Sequence, residues 1–157
     1  MSDSAEAVVS KQWDVQFDKG RHWRARIGFV LLPSEPTIEV DMLRYMPPGV
    51  GVHFTRTQMP REISPTSLSE CAKDLAASAS RIMPEENLDV VTYACTSGII
   101  AIGEQKTVDE LQKGAPNAKA TSMGGAVRKA LKVLDARRIV IGTPYLDEMN
   151  TEVVQIY

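Results

Sequence analysis

Apolar positions along the chain follow two patterns: short continuous runs, and stretches spaced as on one face of a helix. The first run, RIGFVLL from Arg26, is closed by Pro33 and is typical of a strand buried on both faces. In the next stretch, PTIEVDMLRYM, the apolar residues Ile38, Met42 and Met46 recur at helical spacing before a Pro-Pro-Gly turn. A strand followed by a helix is therefore the first unit of the chain.

The same unit recurs twice more in the middle of the chain. VGVHFTRT predicts a second strand, and SPTSLSECAKDLAASASRI predicts a helix with Ser64 as N-cap and Pro65 at its first position. LDVVTYA predicts a third strand, and the segment after Cys95 predicts a helix that runs to about Lys113.

The last part of the chain continues the alternation. NAKATSM predicts a short fourth strand, GGAVRKALKVLDA a helix and RRIVIGT a fifth strand, and PYLDEMNTEVVQIY begins another helix. Strands that alternate with helices through short loops predict an α/β fold, with a mainly parallel sheet and helices on both faces. In such sheets ligands bind at the carboxyl ends of the strands.

Residues 1–24 are polar and aperiodic, and they predict an N-terminal tail rather than part of the sheet. Trp13 and Trp23 are interpreted as its large apolar anchors, so we expect the end of the tail to dock on the body. The two histidines differ in context. His22 lies in the tail, where we expect it to be solvated, whereas His53 lies within the second strand and is interpreted as a packed side chain.

Composition narrows the class of protein. The 157 residues are 43% hydrophobic, enough for a real core, and a net charge of −2 with scattered basic residues argues against a nucleic-acid partner. The N-terminus lacks the features of a signal peptide, and no run approaches the roughly 20 apolar residues of a membrane span. Two cysteines and two histidines make neither a disulfide framework nor a zinc site. We expect a soluble cytoplasmic protein with no metal, cofactor or membrane contact, acting on a small molecule.

Cys95 is placed where the third strand ends and the next helix begins, in YACTSG. The first amides of a helix favour a thiolate, and with the hydroxyls of Thr96 and Ser97 they could hold a carboxylate beside the sulfur. Gly98 leaves room for a close approach by substrate or backbone. A buried structural cysteine remains the alternative, because no base is visible nearby. Cys71, inside a predicted helix, is interpreted as a packing residue.

Two further polar clusters follow predicted strands. In GTPYLDEMN, Thr143 suits the N-cap of the last helix. The same segment contains Tyr145, whose phenol could reach the ligand at Cys95, and Asn150. After the first strand, Ser34 suits a cap, and Glu35 either caps the first helix or reaches the ligand. Capping is the simpler interpretation of Glu35.

Several separated motifs together resemble one family. The strand end YACTSG, the loop TQMPREISPTSL, and RRIVIGTPYLDEMN after GGAVRKALKVLDA are similar to motifs of the aspartate/glutamate racemase superfamily, across about residues 25–157. Within it, the chain most resembles the maleate cis-trans isomerases with their arylmalonate decarboxylase and ectoine-utilisation relatives. The resemblance implies a cofactor-independent enzyme whose two pseudo-symmetric α/β lobes enclose the active site. Residues 25–117 would form the first lobe, and 118–157 would begin the second.

The resemblance also implies roles for individual residues. Cys95 would add to the double bond of maleate, Thr96 and Ser97 would bind a substrate carboxylate, and Tyr145 would hydrogen-bond it from the other lobe. In the family a second-lobe cysteine handles the proton. Glu35 and Asn150 are the remaining candidates for substrate contact.

Two departures from the family pattern change the expectation. Glu35 followed by Pro36 stands where maleate isomerases tend to have asparagine, and its charge would repel a dicarboxylate, which favours the ectoine-utilisation-like branch. Decarboxylases carry glycine at the position of Cys95, which argues against that activity.

The chain ends before a second-lobe cysteine motif. We therefore expect a truncated form with weak or no turnover that self-associates as a homo-oligomer through exposed apolar surface. The alternatives are a non-catalytic module that binds small carboxylates and a decarboxylase of the same superfamily.

Overall fold

In the computed structural model, the described residues are 9–58, 65–84, 87–145 and 147–157. They form four strands and seven helices. The strands are β1 Ala25–Leu31, β2 Val50–Arg56, β3 Val90–Tyr93 and β4 Lys119–Ser122. The helices are α1 Ile38–Tyr45, α2 Pro65–Glu70, α3 Ala72–Ser80, α4 Thr96–Ile102, α5 Glu104–Gly114, α6 Met123–Val133 and α7 Asp147–Ile156.

The four strands form one parallel sheet in the order β2-β1-β3-β4. The central strand β1 pairs with β2 on one side and β3 on the other, which explains why its sequence is a continuous apolar run. The predicted α/β fold is thereby confirmed. Strand β4 lies beyond the boundary expected near residue 117 and pairs with β3, and the division into lobes stays a prediction.

Side chains that alternate along β1 build two separate apolar clusters, one on each face of the sheet. Val30 packs in the larger cluster with Leu75 of α3 and Leu111 of α5. Phe29 and Leu31 pack in the smaller cluster, against which partly buried residues of α1 lie. Helices therefore cover both faces, as the sequence pattern predicts.

Two helices predicted as continuous are each divided in the structure. The first divides at Cys71, where the Cys71 amide donates to the Leu68 carbonyl at 3.2 Å, a tighter turn than the α-helical one. The second divides at Gly103, whose φ of +90° is a backbone conformation that favours glycine. Ser64, the predicted N-cap of the first of these helices, lies outside the described residues.

The predicted fifth strand, RRIVIGT, is wrong. Residues 137–142 form no strand among the described residues, and Val140 in the middle of the run is fully exposed. An apolar run becomes a strand only where a neighbouring strand supplies hydrogen bonds, and β4 pairs with β3 alone in the described sheet. The helix predicted to follow the run is present as α7.

The end of the N-terminal tail docks on the start of β2. The Arg24 amide donates to the Gly49 carbonyl at 2.9 Å, and the Trp23 ring lies against Gly49. His22 is not solvated as expected, because it packs on Gly51 and on the ring of His53, with the centroids 5.0 Å apart. Trp13, 70% exposed, is not an anchor. Within the described segments, no helix is long and apolar enough to traverse a bilayer.

Candidate active site around Cys95

Cys95 is the N-cap residue of α4, directly after β3. Its extended backbone, with φ −147° and ψ 107°, lets its carbonyl accept from the Ile99 amide at 3.0 Å. Its sulfur accepts from the Gly98 amide at 3.2 Å. A thiol here takes the place of the hydroxyl or carboxylate oxygen that usually caps a helix. The sequence prediction for the position of Cys95 is thus matched in the backbone.

The Cys95 side chain is 6% exposed and lines a cavity of 310 Å³. The Ser97 hydroxyl lies 3.5 Å from the sulfur. Thr96, Ser97, Glu35 and Tyr145 line the same cavity. The structure therefore brings five of the six candidate site residues together at the carboxyl edge of the sheet, where parallel sheets bind ligands.

Met123 also lines this cavity, and nothing in the sequence analysis assigned it to the site. It is the first residue of α6, directly after β4, and its sulfur accepts from the Thr96 hydroxyl at 3.4 Å. The available signal was its position, since the carboxyl end of a fourth parallel strand reaches the same edge as the end of β3.

Glu35 caps α1. One of its carboxylate oxygens accepts from the Thr37 amide and the Thr37 hydroxyl, both at 2.7 Å, and from the Ile38 amide at 3.0 Å. Hydrogen bonds from the Thr37 amide first, then from its hydroxyl and from the Ile38 amide, lower the pKa of the Glu35 carboxyl. These bonds favour the capping interpretation: Thr37 is the N-cap residue of α1, and Glu35 rather than Ser34 supplies the acceptor for the first helical amide. An ionised carboxylate therefore stands at the cavity wall.

Arg56 offsets part of this charge. Its guanidinium donates to the Glu35 carbonyl at 3.1 Å and forms an ion pair with Glu39 at 2.9 Å. The positive charge is thus fixed beside the first turn of α1.

Asn150 is not among the cavity residues. Its amide group donates to the Tyr145 carbonyl at 3.0 Å, and its side-chain oxygen accepts from the Thr143 hydroxyl. Thr143 in turn accepts from the Tyr145 amide at 3.3 Å, so it closes a local turn and is not the N-cap of α7, which begins at Asp147. In this structure Asn150 holds the backbone at Tyr145 through this hydrogen bond.

The second cysteine has a different environment. Cys71 is 2% exposed, and its thiol donates to the Gln58 carbonyl at 3.7 Å. Burial is the largest cause that raises the pKa of the Cys71 thiol. The packing interpretation of Cys71 agrees with this burial.

Tyr93 lies directly behind the site and is fully buried. A Cβ placed on Gly98 would come within 2.6 Å of the Tyr93 hydroxyl, so residue 98 is glycine because the phenol occupies the space beside it. The sequence predicts that substrate or backbone occupies this space, and the Tyr93 phenol fills it instead. Burial, then the neighbouring thiols of Cys95 and Cys71, raise the pKa of the Tyr93 phenol far above its usual range.

A larger groove of 640 Å³ lies between α5, α6 and Tyr157, and contains neither cysteine. Here Ser122 caps α6 by accepting from the Gly125 amide at 2.9 Å, and it donates to Glu104 at 2.9 Å. Glu104 is also ion-paired with Arg128, whose hydrogen bond is the main cause that lowers the pKa of the carboxyl. The N-terminus of α6 is thus capped by Ser122, which is itself hydrogen-bonded to the Glu104 carboxylate.

Among the residues that the structure describes, no three histidine, cysteine, aspartate or glutamate side chains converge as metal ligands would. The polar groups at the Cys95 cavity are instead hydroxyls, one thiol and one carboxylate. Such a set can bind a small organic acid and offer it a sulfur nucleophile.

Fold and site together define a parallel α/β protein that presents a cysteine at a strand end, beside hydroxyl groups. No protein-family model matches the chain. The maleate isomerase of Nocardia farcinica is 30% identical to it over 82% of this chain and 55% of that protein. The resemblance to the maleate isomerase branch of the aspartate/glutamate racemase superfamily is therefore confirmed.

Solved structures agree with the sequence comparison. The Nocardia farcinica maleate cis-trans isomerase, a cysteine-to-serine variant with a covalently bound succinylcysteine intermediate, has a TM-score of 0.65 at 28% identity, over 83% of this chain and 57% of that one. Maleate isomerase Iso of Pseudomonas putida S16 shares the fold, with a TM-score of 0.70 at 20% identity, over 84% and 58%. Arylmalonate decarboxylase also shares the fold, with a TM-score of 0.57 at 20% identity, over 82% of this chain and 55% of that one. The chain spans a little over half the length of the relatives that it matches.

Proposed function

We propose that this chain carries the nucleophilic half of a cofactor-independent cis-trans isomerase acting on a small, maleate-like carboxylic acid, with Cys95 as the nucleophile. The observation that carries the proposal is the Cys95 sulfur, which accepts from the Gly98 amide and lines a cavity with hydroxyl-bearing residues. The 30% identity to a maleate isomerase supports the same chemistry. So does the succinylcysteine intermediate recorded in that relative.

In the proposed reaction the Cys95 thiolate attacks one carbon of the double bond. A C–S bond forms, and the π-electron pair moves to the neighbouring carbon, where the second carboxylate delocalises it or a proton quenches it. The former double bond can then rotate as a single bond. The carbanion restores the double bond in the trans arrangement by expelling the thiolate; if it has been protonated, the adduct first gives that proton back, so no atom or electron is lost.

The residues around Cys95 take the remaining roles in the proposal. Thr96 and Ser97 hydrogen-bond the carboxylate next to the attacked carbon, and Tyr145 binds it from the opposite wall. The Gly98 amide stabilises the thiolate as it leaves the adduct. Asn150 supports Tyr145 through the backbone carbonyl rather than touching the substrate.

Glu35 sets a limit on the substrate. Its carboxylate is held ionised by the first turn of α1 and faces the same cavity. A dianion is repelled there, so the proposal favours a substrate whose second acidic group is masked or directed away from Glu35. Maleate itself is a probe of the site, and the physiological acid belongs to the wider maleate-like class.

The chain offers no second cysteine for proton transfer at this cavity, because Cys71 is buried behind it with its thiol on the Gln58 carbonyl. We propose that residues 25–117 are the first lobe and that 118–157 begin a second. For the 157-residue chain alone we therefore expect adduct formation at Cys95 with slow or absent turnover.

The test is alkylation by iodoacetamide across a pH series, followed by mass spectrometry of the Cys95 and Cys71 peptides separately. We expect Cys95 to be labelled well below about pH 8.5, the range of an ordinary free thiol, and maleate to protect it. Cys71 is the internal control, since it is buried. The Cys95→Ser variant identifies any signal that does not come from Cys95.

Two outcomes would redirect the assignment. Slow and equal labelling of both cysteines in folded protein contradicts a nucleophilic Cys95. Slow labelling combined with saturable maleate binding by calorimetry favours a carboxylate-binding module without chemistry, which the lack of a second cavity cysteine makes the leading rival.

A further inference from the structure

A buried phenol lies behind the Cys95 sulfur, and the proposed reaction does not yet use it. Tyr93 is the last residue of β3, has no exposed surface, and belongs to the same apolar cluster as Cys95 and Cys71. Its hydroxyl has no hydrogen-bond partner of ordinary geometry among the described residues. A buried hydroxyl left without a partner is costly, so a tyrosine there needs a reason that phenylalanine would not satisfy.

Gly98 connects the phenol to the sulfur. The Gly98 amide donates to the Cys95 sulfur at 3.2 Å, and a Cβ built on the same residue would stand 2.6 Å from the Tyr93 hydroxyl oxygen. The hydroxyl and the sulfur therefore flank one residue. Tyr93 belongs to the same buried cluster as Cys95 and, unlike Cys95, does not line the cavity.

We propose that the Tyr93 hydroxyl is a positioning group that donates a hydrogen bond to the Cys95 sulfur when Cys95 ionises. This inference rests on the proposed role of Cys95 as nucleophile. A neutral thiol is a weak acceptor, and a thiolate is a strong one, so the unpartnered hydroxyl gains its bond as the charge forms. The Gly98 amide and the Tyr93 hydroxyl would then hold the thiolate from two directions.

Cys71 is the competing acceptor for this hydroxyl, and its environment disfavours it. Its thiol donates to the Gln58 carbonyl; burial is the largest cause that raises the pKa of this thiol, and hydrogen bonds with Thr57 and Tyr93 offset only part of that rise. Burial first, and then the neighbouring thiols of Cys95 and Cys71, raise the pKa of the Tyr93 phenol. A phenol with such a raised pKa keeps its proton and can only donate to a thiolate.

Other titratable groups around Cys95 have to be separated from Tyr93 in any pH experiment. Glu35 and Tyr145 line the cavity side of the sulfur, whereas Cys71 and Tyr93 lie on the interior side. The charge of Asp74 on α3 adds to the effect of burial in raising the pKa of the Cys71 thiol. Of these, Tyr93 alone is a fully buried hydroxyl without a partner among the described residues.

The experiment compares Tyr93→Phe with the unchanged chain by iodoacetamide labelling of Cys95 across pH. We expect the pH midpoint of labelling to rise by about one unit, so that the rate falls about tenfold below the midpoint, as loss of a hydrogen bond to a charged group implies. The limiting rate at high pH should not change, because the thiolate is then fully formed in both proteins. A merely structural effect would change the rate at every pH.

Tyr45→Phe is the matched control, because it removes a phenol hydroxyl that is 67% exposed on α1. A second variant, Cys71→Ala, keeps Tyr93 and guards against a Tyr93→Phe protein that fails to fold. We expect it to leave the Cys95 midpoint unchanged. A midpoint that falls by a unit or more would place the hydroxyl on Cys71 in the native protein and overturn the inference.

The outcomes separate this inference from the proposed function. Fast labelling of Cys95 with the same pH profile in Tyr93→Phe contradicts the role of Tyr93 and leaves the nucleophile in place. Labelling that is slower by one constant factor at every pH also overturns it. If Cys95 is labelled as slowly as Cys71 in the unchanged chain, both the role of Tyr93 and the proposed nucleophile are refuted.

Discussion

At the scale of single residues, glycines at the starts of two helices show how the space around a backbone decides what a position tolerates. Gly98 in α4 and Gly124 in α6 are both buried. A Cβ on Gly98 would meet the Tyr93 ring and hydroxyl at 2.6 to 3.0 Å, whereas a Cβ on Gly124 would make an ordinary contact with Ile156 at 3.4 Å. The same substitution should therefore have opposite effects at the two positions.

We expect Gly98→Ala to lower the free energy of unfolding by about 1–3 kcal/mol, the usual cost of overpacking a well-packed site. Gly124→Ala should leave it unchanged or raise it by up to about 1 kcal/mol, since alanine favours helix more than glycine does. Urea unfolding followed by circular dichroism measures both. Equal losses in the two variants would show that the Tyr93 contact does not constrain residue 98.

Glu35 shows how far residue-level reasoning reaches. Its position after a strand and before a helix was enough to predict a cap, because the first amides of a helix need acceptors wherever the helix packs. The same reasoning chose Ser34 and Thr143 as caps, and both were wrong. Each lies too far before the first helical residue, and the start of a helix is the part of its pattern that sequence defines least.

At the scale of elements, the contact between the tail and β2 depends on a histidine pair. His53 has a buried ring nitrogen without a partner among the described residues, and it packs against His22. Burial first, and then the charges of His22 and Arg26, lower the pKa of His53 below its ordinary value of 6.5. A lowered histidine pKa means that the unfolded or undocked state binds the proton more readily than the docked one.

The docked tail should therefore lose stability as the pH falls below about 6.5, and should be most stable above that value. Trp23, which packs on Gly49 at the same contact, reports on docking by fluorescence in a Trp13→Phe background. We expect its emission to shift to longer wavelength between about pH 7 and pH 5. His53→Asn should remove most of this shift, and an unchanged shift in that variant would assign the pH response to another group.

The two divided helices belong to this scale as well. The sequence pattern predicts one helix from Pro65 to Ile82 and another from after Cys95 to about Lys113, and the structure has two helices within or close to each range. The breaks were not predicted, because spacing records which face is buried and does not record local bends. Gly103 was visible in the sequence, but a glycine inside a helical pattern becomes a break only when packing requires a positive φ there.

At the scale of the whole molecule, the second half carries apolar side chains that the described residues leave uncovered. Four of them are more than 60% exposed: Val133 86%, Leu134 75%, Val140 100% and Val154 64%. Exposed apolar side chains favour association. We expect the chain to self-associate through these side chains.

Light scattering coupled to size-exclusion chromatography, at increasing protein concentration, measures this association. Leu134→Glu should shift the distribution toward the monomer, because it replaces one of these exposed apolar side chains with a charge. Leu43→Glu, which changes an equally exposed leucine on α1 (68%), is the control and should not shift it. A concentration-independent monomeric mass for the unchanged chain would contradict the expectation.

The sequence by itself determined the α/β class, the parallel sheet, the placement of Cys95 at a strand end and the resemblance to the maleate isomerases. These follow from local periodicity, helix-capping chemistry and short motifs, which are all recorded along the chain. Only the tertiary structure decided that RRIVIGT is not a strand among the described residues, because a strand exists only beside a partner. It also decided that Met123 and Tyr145 share a cavity with Cys95 and that Tyr93 takes the space beside Gly98. Such proximities join residues distant in sequence or on different elements, and they are set by packing rather than by any local pattern.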